Sequence, residues 1–223
     1  MLKILNLFAG IGGNRKLWKD VQVTAVEYNE SIAAVYADNF PQDNLIIGDA
    51  HEYLKNHFQE FDFIWTSPPC QTHSSFRQNI CVRFRGTEPK FPDMRLYEEI
   101  LFLQHNAKCL WVVENVKPYY TPLISATQRG RHLFWSNFAI PEFDFKEKET
   151  IRKAQIPQLS QVHGFDLSKF KIPNKRQVLR NCVSPEIGAQ IFSVVKQSLE
   201  SAIAVDFNSS ATSKDGSFLE RLG

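Results

Sequence analysis

The chain has no Cys-x-x-Cys pair; its four cysteines, Cys70, Cys81, Cys109 and Cys182, lie far apart. A zinc site or a disulfide framework calls for closely paired sulfurs, so neither is expected, and a reduced, intracellular setting is the default. No apolar run approaches the ~18 residues of a membrane-spanning helix. Residues 2–11 are too short and too weakly flanked for a secretory signal, so no membrane partner is expected. Internal repeats and low-complexity segments are also missing. What is present is 223 residues, 43% hydrophobic and 22% charged, which suits one globular domain with a small appendage.

The net charge of +2 conceals an asymmetry. Residues 1–76 hold five Lys/Arg against nine Asp/Glu, whereas residues 129–180 hold eleven against five. The early part suits a small ligand and the later part suits a polyanion. A solvated surface with chance clustering is the alternative, and the salt dependence of nucleic-acid affinity separates the two.

Apolar strands alternate with helical stretches through residue 116. Strands are expected at 3–8, 23–27, 45–47, 63–66 and 110–113, and helices at 12–19, 31–39, 50–57 and 95–106. Continuous apolar runs mark strands buried on both faces of a parallel sheet, so the expected fold is doubly wound α/β. Three pieces break the rhythm. Residues 72–92 form a long loop with Arg77, Arg83, Arg85 and a hinge candidate at Gly86. Loops of such length tend to be functional lids. Residues 138–176 are irregular and basic, with Phe143, Phe145, Phe165 and Phe170 interspersed. Residues 185–203 read as a closing helix, followed by a polar tail expected to be disordered from about Asp206. The expected units are a core at 1–137, an insertion at 138–176, a returning segment at 177–203 and a tail at 204–223.

The strand ends carry the chemistry, on one rim of the sheet. Phe8-Ala9-Gly10-Ile11-Gly12-Gly13 ends the first strand in a glycine-rich turn that lets a ligand approach the backbone. Glu27 ends the second strand, where a carboxylate accepts from ribose hydroxyls; Asp49 ends the third, where it can meet an adenine amino group or cap a helix. The G-x-G-x-x-G spacing is absent, which favours a nucleoside ligand such as S-adenosyl-L-methionine over a dinucleotide. Further along, Pro68-Pro69-Cys70 ends one strand with a thiol and Glu114 ends the next with a carboxylate. Parallel neighbours would bring both groups to one pocket, the apparatus for attacking an electron-poor ring.

These motifs, in this order, resemble the DNA (cytosine-5) methyltransferase family over about residues 3–136 and 177–195. Residues 8–13 look like its cofactor motif, with Phe8 as the ring against the cofactor. Glu27-Tyr28 is similar to its ribose- and adenine-contacting pair, where tryptophan is usual second. Gly48-Asp49-Ala50 is similar to its adenine turn, Pro68-Pro69-Cys70-Gln71 to its nucleophile motif and Glu114-Asn115-Val116 to its acid motif. Asp93-Met94-Arg95-Leu96-Tyr97 resembles the helix start after the mobile loop. Asn181-Cys182-Val183-Ser184-Pro185 resembles the late motif beside the cofactor turn. The resemblance implies a class I S-adenosylmethionine-dependent methyltransferase fold with S-adenosyl-L-methionine as cofactor and no metal. It places Phe8, Ala9, Gly10, Gly12, Gly13, Glu27, Tyr28, Asp49, Ala50, Pro69, Asn181 and Val183 around that cofactor. Catalysis would fall to Cys70, Glu114 and Arg131. Double-stranded DNA is the implied partner, in a cytoplasmic, nucleoid-associated monomer.

The sequence departs from the family in two places. The Gln-x-Arg-x-Arg motif appears as Gln128-Arg129-Gly130-Arg131-His132, so that without a gap Gly130 and His132 stand at its arginine positions. The 39 residues of 138–176 are few for a target-recognition region. Two other readings therefore stand: a tRNA cytosine-5 methyltransferase, whose usual Cys-Phe-Thr element is absent here, and a DNA-binding subunit that needs a helper for recognition. The chemistry implied is common to the enzymes. A Cys70 thiolate adds to carbon 6 of cytosine, Glu114 protonates N3, Arg131 holds O2, and carbon 5 takes the methyl group. A neighbouring cation or helix terminus is expected to lower the Cys70 pKa, and burial to raise that of Glu114.

Overall fold

A computed structural model describes residues 1–142 and 154–212, with side chains through Ser201. Seven strands form one sheet in the order β3-β2-β1-β4-β5-β7-β6. The strands β1 (Leu2–Leu7), β2 (Val21–Glu27), β3 (Asn44–Ile47), β4 (Phe63–Thr66) and β5 (Leu110–Val116) are parallel. The hairpin of β6 (Thr127–Arg129) and β7 (His132–Ser136) closes the sheet antiparallel to β5.

Period-two alternation sends successive residues to opposite faces, and both faces are covered. Ile4, Phe63, Trp65 and Val112 pack on one side with Trp18, Tyr36 and Ile191. Leu5, Ile64, Trp111 and Val113 pack on the other with Leu54, Leu96 and Ile100. The helices are α1 (Glu30–Asn39), α2 (Ala50–His57), α3 (Arg95–Asn106), α4 (Ile156–His163), α5 (Lys175–Asn181) and α6 (Pro185–Thr212). Asn29 and Asp49 cap α1 and α2 with their side-chain oxygens, satisfying amides that have no helical partner. Among the described residues no helix is long and apolar enough to cross a membrane.

Four expectations are corrected. Residues 12–19 form a chain of turns, not a helix. The Asn14 amide donates to Asn6 Oδ1 at 2.8 Å, and Trp18 Nε1 donates to the Gly188 carbonyl at 3.0 Å. These two anchors fix the segment against β1 and α6, and backbone bonds such as Lys16 N to Gly13 O span only three residues. The loop at 72–92 contains a wide helical segment, Arg77–Val82 continuing into Arg83–Arg85, that stops at Gly86 with φ 65. Gly86 is thus a left-handed helix terminus. The irregular stretch at 138–176 contains α4, while Phe143 and Phe145 lie outside the described residues. Leu159, Phe165 and Leu167 are buried in the main core cluster. Finally, α6 runs past Ile203 to Thr212, where a disordered tail was expected. No glycine or proline lies between Ala189 and Thr212 to end the helix.

Candidate active site

The carboxyl ends of β1, β2, β4 and β5 open onto one cleft of about 750 Å³, within the usual range for a small-molecule site. Fourteen of the fifteen sequence-predicted site residues line it; Gly12 is the exception. Gly12 lies beneath the turn, where a Cβ would stand 2.2 Å from the Phe40 ring. Its role is packing.

The β1 turn reverses direction at Phe8, φ 52, a left-handed conformation that is uncommon for a bulky residue. The backbone is held from two sides. Ala9 N donates to Val26 O at 3.0 Å, and Gly10 N donates to Glu27 Oε2 at 2.9 Å. The other carboxylate oxygen of Glu27 accepts from Asn29 N at 2.9 Å. Glu27 therefore anchors the turn while facing the cleft. Asp49 caps α2 through Oδ1, accepting from His51 N at 2.8 Å and Glu52 N at 3.2 Å. Phe8 meets His51 edge-on at 5.1 Å, and Tyr28 stands mostly exposed at the entrance. A Cβ added at Gly10 would find only the Phe8 carbonyl oxygen, at 4.0 Å, so the space above this glycine is open. An open cradle at a strand end, flanked by two carboxylates and an aromatic ring, fits a nucleoside cofactor.

The turn that carries Cys70 is also anchored from several sides. Trp65 Nε1 donates to Ser67 Oγ at 2.9 Å, and the Asn115 amide donates to the Pro68 carbonyl at 2.9 Å. His73 N and Ser74 N both donate to the Cys70 carbonyl, at 3.1 and 3.0 Å. Burial pushes the Cys70 thiol up to about 11; the Glu114 carboxylate adds to the rise and Arg131 opposes it. The expected lowering by a cation is thus outweighed, because desolvation in the cleft is the larger effect. Cys70 rests as a thiol.

Glu114 is buried on β5, its Oε1 2.5 Å from His132 Nδ1. Arg131 sits in the two-residue turn of the β6–β7 hairpin, after Gly130 at φ 57. Its guanidinium lines the cleft and Nη2 donates to Arg180 O at 3.4 Å. Arg129 turns the other way, to the Ile140 and Pro141 carbonyls at 3.0 and 2.7 Å and to Glu142 at 3.0 Å. Of the two arginines, Arg131 is the one in the site. Asn181 and Val183 reach the cleft from the α5–α6 junction. There a Cβ on Gly13 would lie 2.2 Å from Val183 O and 2.3 Å from Cys182 Sγ.

Sequence reasoning missed His132 and the structural part of Asn115, as well as Asn174, Gln177 and Arg180, which the α5 region contributes to the cleft wall. His132 adjoins Arg131, but only the β5–β7 register shows that it reaches Glu114. Among the described residues no group of three or more His, Cys, Asp or Glu side chains is placed to hold a metal ion.

The sheet order, with its antiparallel closing hairpin and a cleft at the strand ends, is the fold of the S-adenosylmethionine-dependent methyltransferases. Residues 2–118 match the family model of C-5 cytosine-specific DNA methylases, and the chain belongs to that family. A methyltransferase from Entamoeba histolytica is similar in fold, with 13% identity and a TM-score of 0.52 over 89% of this chain and 99% of that one. A tRNA (cytosine(38)-C(5))-methyltransferase from Spodoptera frugiperda is 37% identical over 76 residues, which is 31% of this chain and 23% of that protein. The match thus spans less than a quarter of the curated relative.

Proposed function

We propose that this chain methylates carbon 5 of cytosine in double-stranded DNA with S-adenosyl-L-methionine as methyl donor. The observation that carries the reading is the convergence of Cys70, Glu114 and Arg131 on the cleft that the β1 turn also lines. The cofactor supplies an electrophilic methyl group when bound. Phe8, Gly10, Glu27, Tyr28 and Asp49 hold it, with Ala9, Gly13, Ala50, Pro69, Asn181 and Val183 completing the wall.

The chain's own groups make the ring reactive. Carbon 5 of cytosine is a poor nucleophile because its electrons are conjugated. Cys70 gives up its thiol proton to solvent and its sulfur bonds to carbon 6 as Glu114 gives a proton to N3, which makes carbon 5 enamine-like. Arg131 holds O2 and favours the thiolate. After methyl transfer, loss of the carbon-5 proton expels Cys70 and N3 returns its proton. A positioned acid supplies about 10²–10⁴ in rate.

A duplex base must leave the stack to reach the cleft. We assign closure over it to residues 72–92, where Phe84 and Phe91 are exposed beside Arg83, Arg85 and Lys90. Residues 138–176 are assigned to target recognition.

A second reading, methylation of tRNA, is favoured by the segment shared with the Spodoptera frugiperda enzyme. Incubating the chain with labelled S-adenosyl-L-methionine and either duplex DNA or tRNA decides between them. Label in DNA that is lost in Cys70→Ala supports the first reading. Label confined to tRNA replaces it with the second, and label in neither removes both.

A further inference from the structure

His132 stands against the acid that the proposed reaction depends on. Residues Glu114, Val116, His132 and Phe134 belong to paired positions of β5 and β7, with Glu114 opposite Phe134 and Val116 opposite His132. His132 is therefore the diagonal neighbour of Glu114 on one face of the sheet. Nδ1 and Oε1 are 2.5 Å apart, and both side chains are 7% exposed. A buried hydrogen bond of a carboxyl group to an imidazole fixes the geometry of both. It fixes the carboxyl plane and occupies Oε1, so the oxygen left for a base is Oε2.

We propose that His132 is the positioning residue of Glu114, holding Oε1 through Nδ1 so that the proton delivered to cytosine N3 travels from Oε2. This rests on the reading of the chain as a cytosine methyltransferase. The step balances. As the Cys70 thiol gives its proton to solvent and the sulfur–carbon-6 bond forms, the Oε2 proton moves to N3, and the charge that appears on Glu114 is met by the Nδ1–H of His132. As that bond breaks, the carbon-5 proton goes to solvent and the N3 proton returns to Glu114. Cys70 and Arg131 also line this part of the cleft, with Arg180 beside them from α5.

The test uses duplex DNA and tRNA carrying 5-fluorocytosine, with S-adenosyl-L-methionine present. Fluorine at carbon 5 blocks the final proton loss, so the Cys70 adduct accumulates and is counted on a denaturing gel. His132→Ala should slow adduct formation about 10²-fold with cofactor binding kept. His132→Asn, which keeps a donor near the Nδ1 position, should recover to within about tenfold. Adduct formation in His132→Ala within about threefold of wild type overturns the inference alone. A His132→Asn protein no faster than His132→Ala does the same. No adduct from the wild-type chain on either substrate overturns the methyl-transfer reading, and this inference with it.

Discussion

Asn115 reaches across from the acid strand to the nucleophile turn, its Nδ2 donating to the buried Pro68 carbonyl at 2.9 Å. Its own Oδ1 accepts from Val116 N at 2.9 Å. One side chain thereby sets the position of Cys70, two residues beyond Pro68, relative to Glu114, one residue before it.

Asn115→Ala removes that link and leaves a buried carbonyl without its donor, a loss of about 1–3 kcal/mol. The larger effect should be on rate, since a small misplacement of reacting groups costs about 10²-fold. Methyl transfer should fall by that order while S-adenosyl-L-methionine affinity, measured by calorimetry, stays within a few-fold. Equal losses in both would point to general unfolding.

The Cys70 thiol, pushed up to about 11 first by burial and then by the Glu114 carboxylate, is almost wholly protonated at neutral pH. Its alkylation by iodoacetamide should rise about tenfold per pH unit between pH 7 and 9, following the thiolate fraction. Glu114→Gln removes one cause of the rise, so alkylation at pH 8 should be faster than in wild type. A slower reaction in that variant would contradict the electrostatic assignment.

Two glycines of the β1 turn should fail differently. Gly13→Ala drives a Cβ into Val183 O at 2.2 Å and Cys182 Sγ at 2.3 Å. The carbonyl is backbone and cannot swing aside, so a stability loss of about 1–3 kcal/mol or more is expected. Gly10→Ala meets no such obstacle, its nearest atom being Phe8 O at 4.0 Å. There the cost is the left-handed φ of 56, about 1–2 kcal/mol, and the methyl group enters the cofactor space. Thermal denaturation with and without cofactor separates the two: the apo Gly13→Ala protein should be the weaker, and Gly10→Ala should gain less from ligand.

His163 is buried with neither ring nitrogen hydrogen-bonded among the described residues. Burial, then Arg131, lowers its pKa to about 4. The folded state thus holds this imidazole neutral while the unfolded chain takes up a proton near pH 6.5. Its contribution is constant above pH 6.5 and is lost as pH falls towards 4, by about 3 kcal/mol at most. Urea unfolding at pH 7 and pH 4.5 should show a smaller acid loss in His163→Leu than in wild type. An identical loss would rule out His163 as its source.

Much of the sheet was legible because buried parallel strands leave continuous apolar runs: 63–66 and 110–113 were marked by composition alone, while the order of the strands came only from the structure. The 12–19 turns were not, since three glycines before a polar–apolar mixture also suit a helix start. What excludes a helix there is the pull of Asn6 and Gly188, both distant in sequence. The β6–β7 hairpin was missed because β6 is three residues long and its partner strand follows a two-residue turn. The extent of α6 was underestimated because a polar composition was read as disorder.

By itself the sequence located the candidate groups: a thiol after Pro68-Pro69, an acid at the end of the next strand, and carboxylates at 27 and 49 follow from local patterns that need no partner to be read. Only the tertiary structure decided how those groups are tuned. Burial of Cys70 outweighs its cation, the hairpin turn selects Arg131 over Arg129, and strand register brings His132 to Glu114. Desolvation and contact depend on which distant segments share a space, and a linear pattern holds no record of that.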